Sequence, residues 1–256
     1  VDKVTKISIR INPNIKTDTH KNIQTGHKSN KFGIDLNDLN EIIDHAKKLN
    51  NIEVIGFHFH LGSQISQNSP FLKLCDVAND VNNLFKNKSI DIKYINVGGG
   101  LAIDYKNPVD NRISNFQNFI NIFNKNVFLN DRQILHFELG RSIVGQCGFL
   151  ITKILFTKRS YNKNFIIVDA GMNDLVRPAL YDSYHKIINI SSIESEVINY
   201  DVVGPICESS DTFVNDYSLP LSKRGDFIVI CSAGAYGESM SSNYNLRNKL
   251  KSYYSD

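Results

Sequence analysis

The sequence predicts the C-terminal half of a (β/α)8 TIM-type barrel over residues 1–147, truncated on its N-terminal side. A mainly antiparallel β domain occupies residues 148–256. Three observations carry this α/β plus β reading. Nearly continuous apolar runs alternate with helix-period segments in the first half, the pattern of buried parallel strands and their crossover helices. The repeat is roughly 40 residues, near the ~31 of one barrel unit once insertions are added. Past about residue 145 helical spacing gives way to strand–turn–strand texture.

In order, KISIRIN (6–12) reads as a strand. DLNDLNEIIDHAKKL (35–49) reads as a helix, with Asp35 or Asn37 as cap and Ile42, Ile43, Ala46 and Leu49 on one face. NIEVIGFHFH (51–60) is the next strand, and residues 71–87 have helical spacing. IKYINV (92–97), FQNFINIFNKNV (116–127) and QILHFEL (133–139) read as strand, helix and strand. In the second part, 148–159 and 165–171 form a hairpin around a polar turn at 160–164, and 200–207 and 226–234 are further strands with no convincing helix between them. In DAGMNDLVRPALYDSYH (169–185), Pro178 directly after Arg177 argues against a regular element at that point.

Composition bounds the function. At 41% hydrophobic and 21% charged, the chain is an ordinary globular one. A dispersed net charge of +3 gives no reason to invoke nucleic acid. The longest apolar runs, such as FIVIC (227–231), fall far short of a membrane span. The 4 cysteines show no zinc-type spacing, so reduced thiols and a cytoplasmic setting are expected. The chain opens inside a strand without Met or a leader pattern, and its N-terminus is expected to lie upstream.

Chemistry-bearing residues gather at strand ends, the active face of a parallel barrel. Gly98, Gly99 and Gly100 offer backbone N–H groups that an anion can approach closely; the plain alternative is a tight turn. His58 and His60 share one strand face. His60 suits stacking on a planar ligand, and the Ser63 hydroxyl suits a phosphate. Glu138 suits a protonated ring nitrogen and Arg141 an anion, against the alternative of an internal ion pair. In the β domain, CESSD (207–211) puts Cys207 beside Glu208 and Asp211, either as an inert thiol or as a proton donor. Tyr236 sits in a Gly-rich turn from which it can reach a ligand phosphate or carboxylate. This inventory suits pyridoxal phosphate chemistry on an amino acid charged at both ends.

The motifs RINP (10–13), TGHKSNKFGI (25–34), HFHLGSQI (58–65), NVGGGL (96–101), ELGRSIVG (138–145), DAGMNDLVRPALYDSYH (169–185), CESSDTF (207–213) and GAYGESMSSNYN (234–245) resemble, in order, those of the diaminopimelate decarboxylase family. That family belongs to the fold-type III, alanine racemase-like pyridoxal-phosphate enzymes. The resemblance implies decarboxylation of meso-diaminopimelate to L-lysine. It implies His60 on the pyridine ring; Ser63, Gly100, the Gly140 backbone and Arg141 around the phosphate; and Glu138 at the ring nitrogen. Arg141, Arg177, Tyr181 and Glu208 are implied to contact substrate, and Tyr236 both substrate and cofactor. Cys207 is implied as the proton donor, acting in trans, so that a homodimer shares its active sites.

Two departures stand out. The family's upstream lysine motif is absent, and NYNLRNKLKSYYSD (243–256) diverges from the family's continuation. Leu139 replaces the usual Pro. The expectation is a fragment, inactive and poorly stable alone, because half a barrel exposes strand edges. Rival readings are a related ornithine, arginine, lysine or carboxynorspermidine decarboxylase, a non-catalytic relative, and a metal-dependent hydrolase.

Overall fold

A computed structural model describes residues 3–17 and 31–255. The 25–30 part of TGHKSNKFGI therefore lies outside the described residues. The chain divides into two compact units, Val1–Ala102 with Ser114–Ser142, and Ile103–Ile113 with Ile143–Asp256.

The first unit is a parallel sheet clothed by helices. Its elements are β1 (Thr5–Asn12), β2 (Ile34–Asp35), α1 (Leu39–Ala46), β3 (Ile52–His58), α2 (Ser69–Asn87), β4 (Tyr94–Asn96), α3 (Phe116–Asn126) and β5 (Ile134–His136). The strand order is β2-β1-β3-β4-β5, with every pair parallel. Apolar residues at helical spacing in α2 (Phe71, Leu74, Cys75, Ala78, Val81, Phe85) are all buried. They meet the sheet through ring contacts: Phe85 stacks on Phe57 at 5.7 Å, and Phe71 meets Phe119 of α3 edge-on at 5.0 Å. Each such ring, fully buried, contributes about 1.5–3 kcal/mol.

The helix expected from residue 35 begins at Leu39 instead. Asp35 belongs to β2, and its carboxylate accepts from the Asn37 N–H at 2.9 Å, a local turn that competes with helix. The inward position expected of Leu49 is taken by Leu39, since the helix ends at Ala46 and leaves Leu49 39% exposed.

The second unit contains β6 (Leu150–Ser160), β7 (Lys163–Val168), β8 (Ile187–Asn189), β9 (Val197–Val203), β10 (Thr212–Pro220) and β11 (Phe227–Ile230), in the order β10-β9-β7-β6-β11-β8. The β7–β9 pair is parallel and the other pairs are antiparallel. The hairpin turn is tighter than expected, just Tyr161 and Asn162, with Tyr161 at φ +52°. The sheet nearly closes on itself. The Tyr217 hydroxyl on β10 donates to Ile187 O (3.2 Å) and accepts from Ile187 N–H (3.1 Å) on β8. Strand β10 has no clear sequence signature because its register shifts around Asp216 (φ +49°), which breaks the alternation a strand normally shows. Three short helices complete the chain: α4 (Arg141–Val144), α5 (Arg177–Tyr181) and α6 (Gly237–Met240).

Candidate active site

The parallel register sets the first unit's strand ends level. His58 pairs with Asn96 and Asn96 with His136, so three C-terminal ends stand in one row. Backbone bonds lace the segments beyond these ends: Phe59 N–H to Asn96 O, Glu138 N–H to Gly98 O, and Ile65 N–H to Gly100 O, each at 2.8 Å.

The glycine triplet is wedged into this lacing. Gly98 has φ +72°, and a Cβ there would lie 2.4 Å from Phe59 O. A Cβ on Gly99 would lie 2.2 Å from Glu138 O, and one on Gly100 (φ +106°) 2.7 Å from Gly62 O. Packing therefore demands all three glycines. The N–H groups of Gly98 and Gly99, expected to point at an anion, turn to protein acceptors instead: Asn96 Oδ1 at 2.8 Å and His60 Nδ1 at 3.4 Å. These bonds shape the turn and tie it to the His60 ring.

Glu138 is held on both oxygens. Asn96 Nδ2 donates to Oε1 at 2.9 Å, and His58 Nε2 lies 3.2 Å from Oε2. The carboxylate stays half-exposed, so it is oriented without being enclosed. Burial, with Arg10 adding to it, holds both His58 and His60 below the ordinary imidazole range, while Glu138 opposes the shift. Both rings are neutral at pH 7. Beside them Arg141 is buried, and its Nε donates to Ser63 Oγ at 2.9 Å. A hydroxyl that accepts from arginine still has its own proton to donate.

This donor set fits pyridoxal phosphate. An oriented carboxylate matches a pyridinium nitrogen, a neutral imidazole a ring face, and a serine–arginine pair a phosphate dianion. The space that a Gly100 side chain would fill keeps backbone at close approach. Asn96 and His58, which sequence reasoning left without a role, are the side chains that orient Glu138. The signal for Asn96 was a polar side chain inside a largely apolar strand, two residues before Gly98.

In the second unit, Arg177 opens α5 and is 5% exposed. The irregular backbone expected there is a short helix. Pro178 sits at its first turn, where proline costs no hydrogen bond, and Asp182 closes it at φ +50°. The four-residue spacing brings the Arg177 guanidinium carbon to 5.5 Å from the Tyr181 ring centre.

The CESSD loop is fixed by its last residue. Buried Asp211 accepts from Met172 N–H and Ile206 N–H, both at 2.6 Å, tying the loop to the turn after β7. Cys207 and Glu208 are left exposed. Ser210 Oγ donates to Glu208 Oε1 at 2.6 Å and Tyr244 Oη to Oε2 at 2.5 Å. These bonds hold the Glu208 carboxyl below its usual range, and the same contact pushes the Tyr244 phenol up. Tyr236, 44% exposed, precedes α6. Among the described residues no three His, Cys, Asp or Glu side chains group as metal ligands, and no helix is long and apolar enough to cross a membrane.

Glycine-rich, donor-lined ends on parallel strands suit a pyridoxal-binding class of protein. A family model described as "Pyridoxal-dependent decarboxylase, pyridoxal binding domain" matches residues 1–145, and the chain belongs to this family. The diaminopimelate decarboxylase of Bacteroides thetaiotaomicron is 48% identical over 255 residues, which is 100% of this chain and 66% of that one. That of Aquifex aeolicus is 41% identical over 96% of this chain and 58% of its own length. The crystal structure of the Helicobacter pylori diaminopimelate decarboxylase complexed with L-lysine superposes with a TM-score of 0.85 at 42% identity, covering 97% of this chain and 61% of that one. The chain thus spans 58–66% of the length of these curated relatives.

Proposed function

We propose that this chain belongs to an enzyme that decarboxylates meso-2,6-diaminopimelate to L-lysine and CO2 with pyridoxal phosphate. Its first unit is read as half of a (β/α)8 barrel. The observation that carries the chemistry is the Glu138 carboxylate, held by Asn96 and His58, with the Ser63–Arg141 pair on the segments that follow the same strands, β3 and β5. Relatives at 41–48% identity named diaminopimelate decarboxylase support the substrate.

Pyridoxal phosphate supplies an electron sink for the pair left when the bond to the carboxylate breaks. Glu138 would keep the ring nitrogen protonated and so deepen that sink. His60 would lie against the ring, its imidazole tied to the Gly98–Gly99 turn. Ser63, Gly100, Gly140 and Arg141 would hold the phosphate. Arg177 and Tyr181 hold the distal carboxylate, a task suited to a guanidinium fork. Ionised Glu208 takes the distal ammonium, and Tyr236 meets both substrate and cofactor. The Cys207 Sγ gives its proton to the carbon that lost CO2, and water restores the thiol. Because Cys207 and Glu208 stand exposed on their loop, we read them as serving a second subunit of a homodimer.

The test is CO2 release by the product of the complete reading frame, offered meso-diaminopimelate and L-ornithine separately. Faster turnover of diaminopimelate is expected. Faster turnover of ornithine overturns the substrate assignment, since that substrate has no second carboxylate for Arg177.

A further inference from the structure

The segment Ile103–Ile113 lies in sequence between β4 and α3, yet it is part of the second unit. It is tightly tied. The Asp104 carboxylate accepts from Lys106 N–H (2.8 Å), Asn107 N–H (2.9 Å) and Asn111 Nδ2 (2.7 Å). Gln146 Nε2 donates to Asn111 O at 2.6 Å. This bracing presents one aromatic side chain, Tyr105. The Arg177 guanidinium carbon lies over its ring, 5.9 Å from the centre. The His185 ring meets Tyr105 edge-on at 5.1 Å and 79°. His185 is itself buried, and its Nδ1 lies 2.9 Å from Cys231 O, just past β11. A continuous chain of contacts therefore runs from the end of β11 through His185 and Tyr105 to Arg177 and on to Tyr181.

We propose that Tyr105 is a specificity-determining positioning residue. It holds the Arg177 guanidinium so that the substrate's distal carboxylate meets a preset fork, and so favours a dicarboxylate over a monocarboxylate amino acid. The inference rests on the reading of Arg177 as a carboxylate binder. The physics is direct. An arginine side chain has many rotamers, and ordering it during binding costs affinity. Rings within about 6 Å attract the cation and restrict it beforehand. A ring contact with the cation takes up none of its N–H groups in a conventional hydrogen bond, so it does not by itself displace a carboxylate from them. Tyr105 does this from a segment whose own backbone is braced by Asp104, which makes the ring a fixed wall.

Steady-state kinetics of the pyridoxal phosphate-loaded enzyme that contains this chain, and of its Tyr105→Leu and Tyr105→Phe variants, read as KM for meso-diaminopimelate and inhibition constant for L-lysine, tests this. Tyr105→Leu is expected to weaken diaminopimelate about tenfold and L-lysine less than about twofold, with Tyr105→Phe restoring diaminopimelate, because the ring rather than the hydroxyl does the positioning. An unchanged affinity for diaminopimelate in Tyr105→Leu, or equal weakening of both ligands, overturns the proposal. Failure of the unaltered chain to prefer diaminopimelate over L-lysine is a separate outcome: it overturns the functional reading, and the proposal falls with it.

Discussion

Asn96 connects the glycine turn to the carboxylate that the chemistry needs. Its Nδ2 donates to Glu138 Oε1 at 2.9 Å while its Oδ1 accepts from Gly98 N–H at 2.8 Å. One amide thus fixes both the shape of a turn and the orientation of an acid beyond the neighbouring strand. The arrangement works because the register places Asn96 opposite both His58 and His136, in the row that Glu138 extends.

Replacing Asn96 by Leu should therefore weaken the cofactor site without touching the cofactor's own contacts. A lost hydrogen bond to a charged group is worth about 1.5–3 kcal/mol, or about tenfold to a hundredfold in affinity. Asn96→Asp should be at least as harmful, since it swaps a donor for a negative charge beside Glu138. Fluorescence titration with pyridoxal phosphate checks both, and an unchanged dissociation constant denies Asn96 this role.

The partly buried histidines give a pH dependence of known sign. In the unfolded chain an imidazole titrates near pH 6.5, and folding lowers the value for His58 and His60 chiefly by burial. Above pH of about 6.5 both states are neutral and stability is flat. Below it the unfolded state binds protons that the folded state refuses, so stability falls with pH. Buried Asp174 and Asp211 act in the opposite direction: burial raises their pKa, so the folded state gains protons first, but from near 3.8 upward. The His58→Gln variant should lose less melting temperature than the unaltered chain between pH of about 7.5 and 5.5. Equal losses contradict the assignment.

Asp211 should be a large stability determinant for its size. Asp211→Ala leaves the Met172 and Ile206 N–H groups without their carboxylate acceptor. At about 1–3 kcal/mol for each donor left unsatisfied, urea denaturation should show a loss of about 2–6 kcal/mol. Asp211→Asn retains one acceptor oxygen and should lose less. A loss below about 0.5 kcal/mol, the range of an ordinary surface change, contradicts this role.

The alternation of strands and helices in the first half was legible because short apolar-rich runs such as IKYINV alternate with helix-period segments such as 71–87. The clustering of Gly98, His60, Ser63, Glu138 and Arg141 at strand ends was legible because parallel strands bring their C-terminal ends together. What escaped was set by single local bonds. The Asp35 turn delayed a helix, the shift around Asp216 hid β10, and Pro178 masked a helix whose first turn it in fact occupies. The roles of Asn96 and Tyr105 depend on side chains meeting across about 40 and 70 residues of sequence, a relation that no local pattern carries.

The substrate assignment turns on Arg177 binding the distal carboxylate of diaminopimelate, and kcat/KM for that substrate in the Arg177→Lys enzyme probes this contact alone. Lysine keeps the charge but loses the bidentate fork, so a fall of about thirtyfold to a hundredfold is expected, on the order of 2–3 kcal/mol. An Arg177→Lys enzyme that decarboxylates diaminopimelate with unchanged kcat/KM contradicts the assignment.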